Sequence, residues 1–202
     1  MRPSEPANEG SHPVRTGESI ALRARALQRG TLVHRLLQSL PDIAAPGRRD
    51  AALAYLARNA DGWTADERTR LAENTLALIA DARFAPVFAP GSRAEVSIVG
   101  RLERPHRRPA LVSGQIDRLV VTDHEVLIVD FKTNHAPPAE AAEAPRGYVR
   151  QLALYRAVLE KLYPQRPVRA ALLWTETPEF MEISAPALDA ELAALIQRDD
   201  RA

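Results

Sequence analysis

Hydrophobic positions recur along this chain in two different rhythms. From Ser19 to Leu40 they fall at helical spacing, with Val33, Leu36, Leu37 and Leu40 on one stripe and Pro41 ending the run. A second helix is predicted over Arg48–Asn59. A third is predicted over Ala65–Ala82, opened by Thr64 with Glu67 three residues later as a capping box. The rhythm then changes to alternation. "AEVSIVGRLERPHRRPALVSGQIDRLVV" reads as two strands joined near Pro105 and Pro109, and "SGQIDRLVVTDHEVLIVDFKTN" as a β-hairpin. A Pro-rich loop, His135 to Pro145, leads to a helix over Tyr148–Leu162. Two short strands, "VRAALLWTE" and "EFMEIS", and a helix over Pro186–Arg198 close the chain. No internal repeat interrupts this order. Helices before and after a central sheet predict an α/β domain over residues 19–202, preceded by a polar, Pro- and Gly-containing tail or linker, residues 1–18, expected to be disordered.

The hairpin carries the chemistry. If it turns on Asp123–His124, Thr122 faces Glu125 and Asp117 falls opposite Asp130. Opposed Cβ atoms lie roughly 4.5–5.5 Å apart, and like charges there are destabilising. Lys132 shares the face of Asp130, two residues along. A solvated hairpin with a loose salt bridge would tolerate this, but the apolar run "VLIVDF" argues that the strand is buried. A buried acid must be paired or bind a metal. Two hard oxygen ligands that leave room for water suit Mg²⁺. A neighbouring lysine can activate that water or neutralise an oxyanion. The cluster predicts metal-assisted hydrolysis.

Composition narrows the field. The 202 residues are 46% hydrophobic, enough for one domain with a real core, and no apolar run approaches the roughly 18 residues of a membrane span. The first residues lack the apolar segment of a secretory signal, so a cytoplasmic setting is expected. The absence of cysteine excludes disulfides, zinc–thiolate sites and Cys-ligated clusters. A net charge of +1 excludes a general polyanion binder, leaving only local contacts to nucleic acid. Of the 27 basic residues only Lys132 and Lys161 are lysine, which leaves 25 arginines. With abundant Ala and Pro this matches the bias of a GC-rich genome. It makes a lysine at 132 notable. "RLERPHRR" (Arg101 to Arg108) reads as a solvated loop between strands, with phosphate binding as the sharper alternative, and Trp174 as a packed strand residue.

Gly-x-Ile-Asp, about a dozen residues and then Val-Asp-Phe-Lys-Thr resembles the core of the PD-(D/E)xK nuclease superfamily in its RecB-like form. "RGTLVHRLLQSLP", "GSRAEVSIVG", "SGQIDRLVV", "IVDFKTN", "YVRQLALYRAVL" and "VRAALLWTE" resemble, in order, the C-terminal nuclease domain of bacterial AddA-type helicase–nucleases, over roughly residues 22 to 185. The resemblance implies a central mixed sheet with a catalytic β-hairpin flanked by helices. It implies Mg²⁺, or Mn²⁺ in its place, on His34, Asp117 and Asp130, with Lys132 as catalytic lysine. Gln151 and Tyr155 match a Gln-x-x-x-Tyr helix motif against the active site, and their spacing of four puts both on one helical face. Glu95 matches an acidic residue on the strand before the hairpin. The implied activity is that of a DNA exonuclease in double-strand break resection, with a helicase domain and a second nuclease subunit as partners. No G-x-x-x-x-G-K-[ST] phosphate loop is present, so ATP hydrolysis by that route is not expected. The competing reading is a non-catalytic DNA- or partner-binding module of the same fold. Intact His34, Asp117, Asp130 and Lys132 argue against it.

Overall fold

The protein is described by a computed structural model covering residues 17–105, 107–133 and 137–199. Of the expected tail, residues 1–16 lie outside this range, while Gly17 and Glu18 already belong to the first helix. Three helices come first: α1 (Gly17–Ser39), α2 (Ala45–Asn59) and α3 (Ala65–Ala80). Then follow β1 (Arg93–Leu102), β2 (Ala110–Val121), β3 (Val126–Lys132), α4 (Arg146–Leu162), β4 (Val168–Trp174), β5 (Glu179–Ile183) and α5 (Ala185–Asp199). The boundaries differ from the periodicity by local chemistry. Pro46 sits in the first turn of α2, where a missing N–H costs nothing, so that helix starts before Arg48. α3 stops at Ala80 because Asp81 turns extended and accepts from Arg83 N. The Thr64–Glu67 capping box is present in both directions.

The sheet runs β1-β2-β3-β4-β5, antiparallel except for β3 beside β4, which are parallel and linked through α4. Every residue of β3 is buried. One face packs Ile116, Ile128, Leu172 and Trp174 against Leu152, Tyr155 and Leu159 of α4. The other packs Val129, Phe131 and Leu173 against Leu36, Leu37 and Leu56 of the N-terminal helices. Each such side chain contributes about 1.5–3 kcal/mol on burial. These two cores fix the sheet between two helical layers. Among the described residues, no helix is long and apolar enough to cross a membrane.

One row of this sheet is irregular. In β2, Val112 and Ile116 face α4, and so do Leu119 and Val121, so the alternation slips by one between them. Arg118, inside the slip, turns to the other face, where its Nε donates to Val87 O (3.2 Å) and Ser92 Oγ (3.0 Å). The β1–β2 pairing resumes in the same register on both sides of Glu95, which therefore stands across from Asp117. Glu95 takes φ 53°, the left-handed region a glutamate rarely adopts. The slip lies in the row of Glu95 and Asp117.

Candidate metal centre

The hairpin turns where the sequence predicts. Thr122 N donates to Glu125 O (2.9 Å), and pairing runs from Val121↔Val126 to Arg118↔Val129. Asp117 and Asp130 come next in that register, but the ladder ends one residue before them. The Asp117 carboxylate takes over, with Oδ2 accepting from Phe131 N at 2.7 Å. The expectation of two directly paired aspartates is thus corrected. They share a row, yet one of them bonds to the neighbouring backbone instead of opposing the other side chain squarely. With Glu95, three carboxylates occupy one row of three adjacent strands.

α1 delivers the imidazole. A Cβ on Gly30 would lie 2.8 Å from Thr133 Oγ1, so the missing side chain lets the helix approach the end of β3. His34 is one turn further on the same face. Its Nδ1 is 3.5 Å from Asp117 Oδ1, and its ring meets Phe131 edge-on at 5.9 Å. Donor atoms of His34, Glu95 and Asp117 all lie within 4.8 Å of one another. The sequence reaches Glu95 only through the resemblance and does not place it among the ligands, because its position depends on the β1–β2 register across a Pro-containing loop.

Asp130 is held differently. Its Oδ1 accepts from Gln151 Nε2 at 2.8 Å, and its Oδ2 is 2.5 Å from Lys132 Nζ. That second contact is a buried ion pair, with Lys132 as the partner of Oδ2. Gln151 Nε2 also donates to Tyr155 Oη (3.3 Å), which accepts from Gln115 N as well (3.3 Å). Tyr155 is fully buried, and Gly114 leaves the room for it: a Cβ there would lie 2.5 Å from the hydroxyl. A chain of hydrogen bonds therefore ties the β2 backbone through Tyr155 and Gln151 to Asp130. Lys132 Nζ lies 3.7 Å from the centroid of the Tyr148 ring, held between a carboxylate and an aromatic face. Tyr148 was missed from sequence, although its position three before Gln151 places both on one helical face.

Burial raises the pKa of Asp130, outweighing Lys132, and the Asp117 charge adds to the rise. Burial also raises Glu95, helped by Asp117. For His34 burial works downward, but the hydrogen bond to Asp117 and the charges of Asp117, Asp130 and Glu95 prevail and raise it. Together the shifts report burial and neighbouring negative charge, which a cation would offset. One imidazole nitrogen and hard carboxylate oxygens form a donor set that can hold a divalent cation. The residues present fit such an ion. The ready donors are His34, Glu95 and Asp117, with Asp130 beside them and engaged by Lys132 and Gln151.

A mixed sheet whose central hairpin opens onto carboxylates, an imidazole and a lysine defines an α/β domain built around an acidic site suited to a divalent cation. The chain belongs to the PD-(D/E)XK nuclease superfamily, whose family model matches residues 12–199. The five-stranded mixed sheet flanked by helices is that superfamily's fold. No curated protein matches the chain. Among solved structures, the crystal structure of SSO0001 matches at 11% identity and a TM-score of 0.37, over 90% of this chain and 85% of that one. An overlay that loose says nothing of activity.

Proposed function

We propose that this chain is a metal-dependent deoxyribonuclease that hydrolyses phosphodiester bonds with Mg²⁺ or Mn²⁺. The observation that supports this best is the broken row Glu95–Asp117–Asp130, with His34 on one side and Lys132 in contact with Asp130 on the other. A fold gains nothing from three carboxylates in one row unless a cation joins them. His34, Glu95 and Asp117 would hold the ion, with Asp130 completing the set. A bound divalent ion would supply positive charge and lower the pKa of water. Lys132 places its ammonium where charge develops on the phosphate or where the attacking water is oriented. Gln151, fixed by Tyr155, orients Asp130. Water adds to phosphorus, the P–O bond to the leaving strand breaks, and the leaving oxygen takes up a proton.

The finer reading rests on the ordered motifs. They support an exonuclease domain of the AddA type, working in the cytoplasm on DNA ends in double-strand break resection and recombinational repair. A helicase domain and a second nuclease subunit would deliver the strand.

The test uses the purified chain with end-labelled single- and double-stranded DNA, in Mg²⁺ and in chelator. Cleavage is expected only with metal, and Asp117→Ala should abolish it while leaving a cooperative thermal melt. Cleavage in chelator, or full cleavage by Asp117→Ala, would overturn the assignment.

A further inference from the structure

The outward face of the β1–β2 hairpin contributes no side chain to the site described above, and among the described residues it is largely exposed. Ser97, Val99 and Arg101 of β1 are exposed, as are Leu111 and Gln115 of β2. Val99 is 68% exposed and Leu111 55%, high values for aliphatic residues in a sheet. The register puts Ser97 beside Gln115, Val99 beside Ser113 and Arg101 beside Leu111. All six side chains lie on the face away from α4, which instead packs on Val96, Ile98 and Leu102. The rows ascend from the broken row at Glu95 to the loop after Leu102. In residues 101–109, Glu103 is the single acid among Arg101, Arg104, Arg107 and Arg108. Arg104 shapes that loop by donating to Arg108 O (2.6 Å). Arg101, Arg107 and Arg108 are exposed.

We infer that this face is the track along which a single DNA strand runs to the metal centre, an inference that rests on the nuclease reading. Three features converge on that occupant. The arginines lie at the far end of the track and the carboxylates at the near end, so a polyanion is attracted at one end and requires a cation at the other. Arg101 is six residues from Glu95, about 20 Å along a strand, which spans about six stacked nucleotides or fewer extended ones. Val99, between the two ends, and Leu111, beside Arg101, match unpaired bases, whose apolar faces a duplex would hide. They are aliphatic where dedicated single-strand binders use aromatic stacking, so affinity is modest and indifferent to sequence. The basic loop noted in the sequence thereby gains a role, as the outer phosphate contact.

The experiment compares the wild-type chain with R101A/R107A/R108A and with V99S/L111S. Fluorescence anisotropy in chelator measures binding of a labelled 20-nucleotide oligothymidylate and of a duplex of equal length across a salt series. With Mg²⁺ or Mn²⁺, turnover of the oligothymidylate is expressed relative to that of bis(4-nitrophenyl) phosphate, an ester too small to reach the track. The arginine variant should bind the single strand about tenfold more weakly at low salt. Its salt slope should be smaller by about 2, at about 0.7 per lost phosphate contact on a single strand. The DNA-to-ester ratio should fall by a similar factor, and V99S/L111S should weaken the single strand more than the duplex. Wild-type affinity and slope in the arginine variant would overturn the track. Equal losses for single strand and duplex would make it a duplex surface, and an unchanged affinity in V99S/L111S would return the apolar pair to a protein partner. Failure of the nuclease reading shows separately, as a wild type that cleaves neither DNA nor ester while anisotropy still reports on the arginines.

Discussion

The two ends of the β2–β3 hairpin are built from the same strands and obey opposite rules. At the turn, Val121 pairs with Val126 and Val120 with Leu127 in unbroken register, and both faces are apolar. At the open end the ladder stops, a carboxylate takes the Phe131 N–H, and Asp130 and Lys132 pair beside Gln151 and the Tyr148 ring. The contrast shows where a sheet can carry reactive groups. A row of charge is tolerated only where neighbouring strands already supply full burial and full hydrogen bonding, so that the broken row subtracts little from the total.

If this division holds, mutation at the turn should cost stability and mutation at the open end should cost chemistry. Leu127→Ala removes a buried side chain at the turn and should lower unfolding free energy by about 2–5 kcal/mol. Cleavage per folded molecule should stay at the wild-type rate. Denaturant melts with active-fraction titration measure both, and a selective loss of turnover would show that the two ends are not separable. Lys132→Ala should do the reverse, slowing cleavage about 10²–10³-fold, the value of one preorganised charge at a reacting centre. Its metal affinity, read by calorimetry, should persist. A mutant that loses metal but turns over normally when saturated would assign Lys132 to binding.

The smallest effect sharpens the comparison most. Burial holds the folded pKa of Asp130 above the ordinary carboxylate value, despite Lys132. Its ionised form therefore weakens the metal-free fold at neutral pH, whereas its protonated form does not. Asp130→Asn should then be more stable than wild type in chelator by up to about 1 kcal/mol. That advantage is full above the folded pKa, shrinks as pH falls through it, and is gone below the unfolded value. Added Mg²⁺ or Mn²⁺ should reverse the order by stabilising only the wild type. Melts at pH 7.5 and pH 3.5 decide it, and a mutant less stable at both would make Asp130 a structural ion-pair residue.

Much of this was legible in the chain. The turn at Asp123–His124 is local, and alternation fixes which residues share a face, so the hairpin register and the meeting of Asp130 with Lys132 follow from a few residues. The four-residue step from Gln151 to Tyr155 likewise puts both on the face that meets Asp130. Sequence could not show the parity slip in β2, because it arises from two strands distorting together at Glu95 and Asp117. Nor could it place Glu95 beside His34, since that needs the register across the 103–109 loop and the depth of α1 at once. The sharing of Asp130 between Gln151 and Lys132 is a matter of which oxygen faces which donor, and no periodicity encodes it.

Glu95 also bears on how this protein can change over generations. Its backbone sits where a glycine would be at ease, and holding a larger residue there costs on the order of 1 kcal/mol or more. A glycine would relax the chain and delete a carboxylate from the cluster in a single step. Foldability and chemistry pull that codon in opposite directions. Lineages or laboratory selections rewarded for heat resistance alone would drift toward the inert residue at this position before any other in the cluster.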